Sequence, residues 1–99
     1  MLVRACLLEE LEEGKGRMVE LDGECIALFR AGAEVVALDN ECPHRGGALS
    51  GGDLHGGAVH CPLHGWPFDA RTGRCLEQPE ARVRTFQVEV RGGEVWVEV

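Results

Sequence analysis

The sequence predicts an all-β, antiparallel fold carrying a small inserted subdomain between about residues 40 and 80. Three observations predict it. Short runs rich in β-branched residues recur with glycine-containing turns between them. The last two runs place apolar residues at every second position, as half-buried strands do, with Trp96 alone interrupting the polar side. In the middle of the chain that alternation fades, and all four prolines, all four histidines and most of the glycines gather there. At 99 residues the chain is expected to be one domain spanning 1–99.

The elements follow in order. "LVRAC" from Leu2 opens the chain as a strand, and the next run, "LLEELEEG", is either one short helical piece or a turn with an acidic rim. "RMVEL" (Arg17–Leu21), "ECIALFRA" (Glu24–Ala31) and "EVVALD" (Glu34–Asp39) are too closely spaced for crossovers and read as an antiparallel meander. Near the C-terminus "FQVEV" and "EVWVEV" flank "RGG". Alternation puts Phe86, Val88 and Val90 on one face of the first, and Val95, Val97 and Val99 on one face of the second. Gly92 and Gly93 supply the positive φ angles of a tight hairpin.

The stretch from Asn40 to Glu80 is too long for an idle loop in a compact domain. Its apolar content looks low, so its order is expected to depend on a bound metal. Within it a phrase occurs twice: "ECPHRGGALS" (Glu41–Ser50) and "CPLHGW" (Cys61–Trp66). The pattern is Cys42-x-His44 followed, after sixteen residues, by Cys61-x-x-His64. Two loops thus offer two thiolates and two imidazoles. Cysteine suits zinc and iron–sulfur centres, and imidazole suits zinc and iron. Neighbouring glycines let backbone amides point at anionic sulfur, while Pro43 and Pro62 stiffen each loop just after its cysteine. These residues alone leave zinc and a [2Fe–2S] cluster open.

Composition excludes several other classes. The formal net charge is −7, which repels phosphate backbones, so no nucleic-acid partner is expected. The same charge suits steering toward a basic patch on a protein partner. No apolar run approaches the ~20 residues of a membrane span, and the N-terminal residues do not read as a signal peptide. A cytoplasmic location without membrane attachment is expected. Five cysteines in such a chain point to metal ligation or reactivity, not to a disulfide framework. No residue set resembles a nucleophile with its base, so a non-catalytic protein is expected.

The ligand spacing, with its surroundings "CPHRGG" and "CPLHGWPFD", resembles the Rieske family. The likeness extends over almost the whole chain, including the "RTG" turn (Arg71–Gly73), the Gln78–Pro79 loop and the final hairpin. It implies an antiparallel β-sandwich with an inserted cluster-binding subdomain, and one [2Fe–2S] cluster per chain. It implies that Cys42 and Cys61 hold one iron and His44 and His64 the other, the two histidines at the exposed tip. It also implies a one-electron carrier or electron-transfer subunit. The partners would be a flavin reductase and a terminal oxygenase, or the large subunit of a nitrite reductase. Soluble dioxygenase ferredoxins and nitrite reductase small subunits are the resembling branches. Some of the latter lack the ligands; all four are present here.

High-potential members carry an extra cysteine in each loop, joined as a disulfide. The corresponding residues here are Gly47 and Leu63, which cannot form it. Those members also donate hydroxyls to the sulfurs from positions occupied here by Trp66 and Phe68. The competing reading is a colourless structural-zinc or clusterless module. His55, His60 and Asp69 read as turn or surface residues, and Cys6 and Cys25 as small buried apolar residues. Cys75 reads as part of a looser loop, and Arg45 as a local ion-pair former or partner guide.

Overall fold

The computed structural model describes residues 1–43, 46–63 and 65–99. Among these, ten strands form three antiparallel sheets. β1 (Leu2–Leu7) pairs with β10 (Glu94–Glu98), which pairs with β9 (Val88–Arg91). The second sheet runs β2 (Gly16–Leu21), β3 (Glu24–Ala31), β4 (Glu34–Asp39) and β8 (Thr85–Phe86). The third consists of β5 (Asp53–His55), β6 (Ala58–His60) and β7 (Pro67–Asp69), all within the predicted insertion.

The second sheet is the middle layer, and β3 shows why its sequence is continuously apolar. Ile26 and Leu28 face a core shared with Cys6, Val95 and Val97 of the first sheet. Ala27 and Phe29 face the opposite way, into a core shared with Leu49, Val59 and Phe68 of the insertion. All four β3 residues are fully buried. A strand covered on both faces has no polar side, so its pattern is a run and not an alternation. Each such burial of a large aliphatic or aromatic side chain is worth about 1.5–3 kcal/mol.

The all-β expectation holds, with corrections in detail. "LLEELEEG" forms only a 3-10 turn at Leu8–Glu10. "FQVEV" is not one strand: Phe86 pairs with Ala37 in the second sheet, whereas Val88 pairs with Val97 in the first. The chain changes sheets at Gln87, and Val90 is exposed. Val95 and Val97 are buried and Val99 packs beside them, as their alternation predicts. Gly92 and Gly93 both have positive φ in the hairpin between β9 and β10.

The insertion has more core of its own than its composition suggests. Leu49, Val59, Phe68, Cys75 and Val83 are buried together with Cys42 and Cys61. Its two ends are tied where they leave and rejoin the second sheet. Arg84 donates to Asp39 at 2.8 Å and to Glu24 at 2.7 Å, and its backbone N–H donates to Asp39 Oδ2 at 2.7 Å. Arg84 holds the Glu24 carboxyl below its ordinary pKa. These groups are exposed, so the clamp sets geometry more than it adds stability. Among the described residues no helix is long and apolar enough to cross a membrane.

Candidate metal centre

The repeated phrase folds into one backbone construction made twice. In the first loop the Cys42 N–H donates to Gly47 O at 2.7 Å, and the Gly46 N–H returns to Cys42 O at 2.9 Å. In the second loop the Cys61 N–H donates to Trp66 O at 2.9 Å, and the Gly65 N–H returns to Cys61 O at 3.0 Å. The glycine four residues after each cysteine has φ of 70° and 69° respectively, a left-handed conformation that other residues adopt at a cost. Cys-x-His and Cys-x-x-His therefore sit on loops of equal length and equal hydrogen bonding.

Each loop is carried by paired backbone. Leu49 N–H donates to Asn40 O at 2.7 Å, Glu41 bridges Ala48, and Asn40 Oδ1 accepts the Ser50 N–H at 3.0 Å. The second loop connects β6 to β7, where His60 pairs with Pro67. Asn40 escaped the sequence reading. A lone Asn carries no chemical signal, and its role appears only when the loop closes beside it.

Both cysteine side chains are buried, Cys42 at 1% and Cys61 at 2% exposure. The loops meet at Gly47: a Cβ there would lie 3.2 Å from Cys61 Sγ and 2.9 Å from Leu63 Cδ1. Lacking a side chain, Gly47 lets the first loop's backbone approach the second loop's sulfur. Leu63 packs against the same spot, where the resemblance places a disulfide in high-potential relatives. Two buried thiols on loops of like construction, with the first loop's backbone at Gly47 close to the side chains of Cys61 and Leu63, fit a sulfur-held metal centre. His44, Arg45 and His64 lie outside the described residues.

Phe68 is fully buried, and Trp66 is half-buried against the same core. Cys75 is no loose-loop residue: it is fully buried and bridges Phe68. Cys6 is buried as expected, and burial pushes its thiol pKa up, which suits an inert side chain. Cys25 corrects the expectation, because it is exposed. Asp69 is a turn hydrogen bonder: Oδ1 accepts the N–H groups of Arg71 at 2.8 Å and Thr72 at 3.0 Å.

Those bonds, first Thr72 and then Arg71, hold the Asp69 carboxyl below its ordinary pKa. A depressed carboxyl pKa contributes stability above the unfolded value and loses it as pH falls through the folded one. Asp69→Ala should therefore lower the melting temperature at pH 7, and the gap should narrow below about pH 4. Melting curves of the two proteins at both pH values check this.

Comparison with known proteins agrees with this construction. Residues 1–87 match the family model of the Rieske [2Fe-2S] domain. The ferredoxin component of a naphthalene 1,2-dioxygenase system from Pseudomonas aeruginosa is 35% identical, over 98% of this chain and 94% of its own length. A structure assigned as the small subunit of an NADH-dependent nitrite reductase from Mycobacterium tuberculosis superposes with a TM-score of 0.91. It is 31% identical and covers 100% of this chain and 96% of its own. A chain from a complex of reduced oxygenase and oxidized ferredoxin in carbazole 1,9a-dioxygenase gives 0.85 at 32% identity, covering 97% of this chain and 91% of its own.

Proposed function

Because this chain belongs to the Rieske [2Fe-2S] domain family, we propose that it is the ferredoxin of a ring-hydroxylating dioxygenase system. It carries single electrons on its [2Fe–2S] cluster from a flavin reductase to a terminal oxygenase. The cluster supplies the redox change. The chain supplies two buried thiols, hydrogen-bonded loops that carry them and an apolar floor. In this reading Cys42 and Cys61 hold one iron, His44 and His64 hold the other, and residues 1–99 act as one domain. The protein performs no bond-making chemistry and works in the cytoplasm.

The observation that carries the ligand assignment is the duplicated loop, with the same two hydrogen bonds and a left-handed glycine at the same offset from each cysteine. The purified protein is expected to hold about two iron and two acid-labile sulfide per chain. Stoichiometric zinc without sulfide would overturn the assignment.

A second reading is favoured by the TM-score of 0.91 with the nitrite reductase small subunit: the same cluster serving within a nitrite reductase. Stopped-flow mixing of the reduced protein with a Rieske oxygenase, and separately with a nitrite reductase large subunit, decides between them. Rapid reoxidation by the oxygenase alone supports the first reading. Reoxidation by the large subunit alone supports the second.

The cluster's potential follows from the same residues. No hydroxyl stands at Trp66 or Phe68, Gly47 and Leu63 replace the disulfide, and the net charge is −7. Each feature withholds stabilisation from the added electron, so the midpoint should lie near the low end for this cluster type, roughly −150 mV. Phe68 shares a buried core with Cys42 and Cys61. Phe68→Tyr is expected to raise the midpoint in a potentiometric titration. A wild-type midpoint above zero would contradict the argument.

A further inference from the structure

Resting on the electron-carrier reading, we propose that Arg74 and Arg82 form a docking contact for an acidic surface of a redox partner, beside the first cysteine loop. The two residues oppose each other in an antiparallel bridge. The Val83 N–H donates to Gly73 O and the Cys75 N–H to Ala81 O, flanking the pair, so Arg74 and Arg82 form a non-hydrogen-bonded pair. Cβ atoms in such a pair stand about 4.5–5.5 Å apart, and both side chains leave the same face. That face is the outer one: Gly73, Cys75 and Val83 are buried, whereas Arg74 and Arg82 are exposed.

Like charges set directly opposite each other repel, and among the described residues no carboxylate offsets this. The arginine ion pairs found there belong to Arg4, Arg84 and Arg91. Arg84 is committed to Asp39 and Glu24, and the charge of Arg71 acts on the Asp69 carboxyl. Glu77 and Glu80, on the adjoining loop, pair with neither guanidinium. Residues 71–84 carry four arginines against two glutamates, in a chain of ten cations and seventeen acids. A carboxylate placed between two guanidinium groups accepts hydrogen bonds from both and offsets their repulsion. The weakly hydrated, planar fork of arginine suits that contact. A nucleic acid would meet the net charge of −7 along its whole length, whereas a protein surface brings a few carboxylates to one place.

The position suits electron exchange. Arg82 lines a cleft together with Pro43, the residue after Cys42. Cys75, next to Arg74, is buried in the same core as Cys42 and Cys61. Glu24 and Asp39 line the cleft too but are held by Arg84, and Glu41 Oε2 lies toward Gly46. Leu76, two residues beyond Arg74, is 57% exposed and supplies an apolar neighbour. Apolar and arginine side chains together are the usual composition of an interface.

The test is stopped-flow electron exchange of the cluster-loaded protein with a flavin reductase, a Rieske oxygenase and a nitrite reductase large subunit. Wild type is compared with the double variant Arg74→Gln/Arg82→Gln. At about 10 mM ionic strength, where charges act over roughly 30 Å, the variant is expected to react at least about tenfold more slowly with one partner. Near 1 M, where that distance is about 3 Å, the two rates should converge. The loss should lie in the second-order rate constant, with the rate at saturating partner kept, because an exposed charge acts on association. Iron content and visible spectrum should match the wild type. Arg91→Gln, which removes an exposed arginine on β9, should leave every rate unchanged. Equal or faster reaction of the double variant with every partner active toward the wild type overturns the contact and leaves the carrier reading standing. Equal slowing by Arg91→Gln also overturns it, as a general effect of charge. A wild type that exchanges electrons with none of the three overturns the carrier reading, and the contact with it.

Discussion

Replacing Cys42 or Cys61 by Ser is expected to remove the cluster altogether. Iron and acid-labile sulfide should fall from about two each per chain to near zero, with loss of the visible absorption. Serine keeps the size but replaces a soft, easily ionised sulfur by a hard hydroxyl. At 1% and 2% exposure neither position lets water compensate. The structural damage should be confined. The core between the first two sheets, built on Cys6, Ile26, Leu28, Val95 and Val97, touches neither loop. The insertion also retains Leu49, Val59, Phe68 and Val83 as a floor. The described tip residues, 42–43, 46–47, 61–63 and 65–66, are joined by backbone bonds and by the packing of Cys42, Cys61 and Trp66 on that floor. Limited proteolysis should cut at the tips and leave β5, β6 and β7 intact. Wild-type resistance of both tips in the cluster-free variant would show that they are ordered without metal.

This prediction is narrower than the sequence alone allows, because the insertion's core was illegible there. Leu49, Val59, Phe68 and Val83 are scattered singly among glycines and polar residues, and β5, β6 and β7 are three residues each, too short to show a period. The outer strands were legible because one-sided burial writes alternation directly into the sequence. β3 was legible because two-sided burial writes a run. "FQVEV" misled for a related reason: alternation continues through Gln87 although the pairing partner changes, and a period reports faces, not neighbours. Cys25 misled because it adjoins the buried run of β3 at the strand's exposed beginning, opposite Glu20.

The site divides in the same way. The cysteines and histidines of the duplicated phrase were readable because chemistry demands those residue types at those spacings. The atoms that hold the loops were not readable, because most are backbone atoms, which every residue type carries alike. Asn40 closes the first loop through its own carbonyl and side chain. Gly47 matters because of where Cys61 and Leu63 stand. A glycine in a glycine-rich stretch carries no mark that separates close approach from a simple turn.

Gly52 shows how large such a hidden constraint is, and Gly52→Ala should be among the most damaging single substitutions outside the cysteines. A Cβ at Gly52 would lie 1.8 Å from His60 O and 3.0 Å from His60 C. Both are backbone atoms, so no rotamer relieves the clash. His60 cannot retreat easily, because it pairs with Asp53 on one side and Pro67 on the other, and the next N–H, of Cys61, is bonded to Trp66 O. Gly52 cannot retreat easily either, because its N–H closes the Leu49 turn that ends the first loop. Relief must pry the base of the first cysteine loop from the root of the second. Overpacking of this kind should cost about 3 kcal/mol, the upper end of the usual range, lowering the melting temperature by roughly 12–24 °C. Because the two loops separate, iron content should fall as well. Gly56→Ala is the control: nothing lies within 4 Å of its Cβ position, and only its φ of 61° is unfavourable. That should cost about 1–2 kcal/mol and leave the iron content whole. Thermal melts with iron analysis of both variants decide the matter. If Gly52→Ala loses no more stability than Gly56→Ala and keeps its full iron, the contact with His60 does not set the distance between the loops.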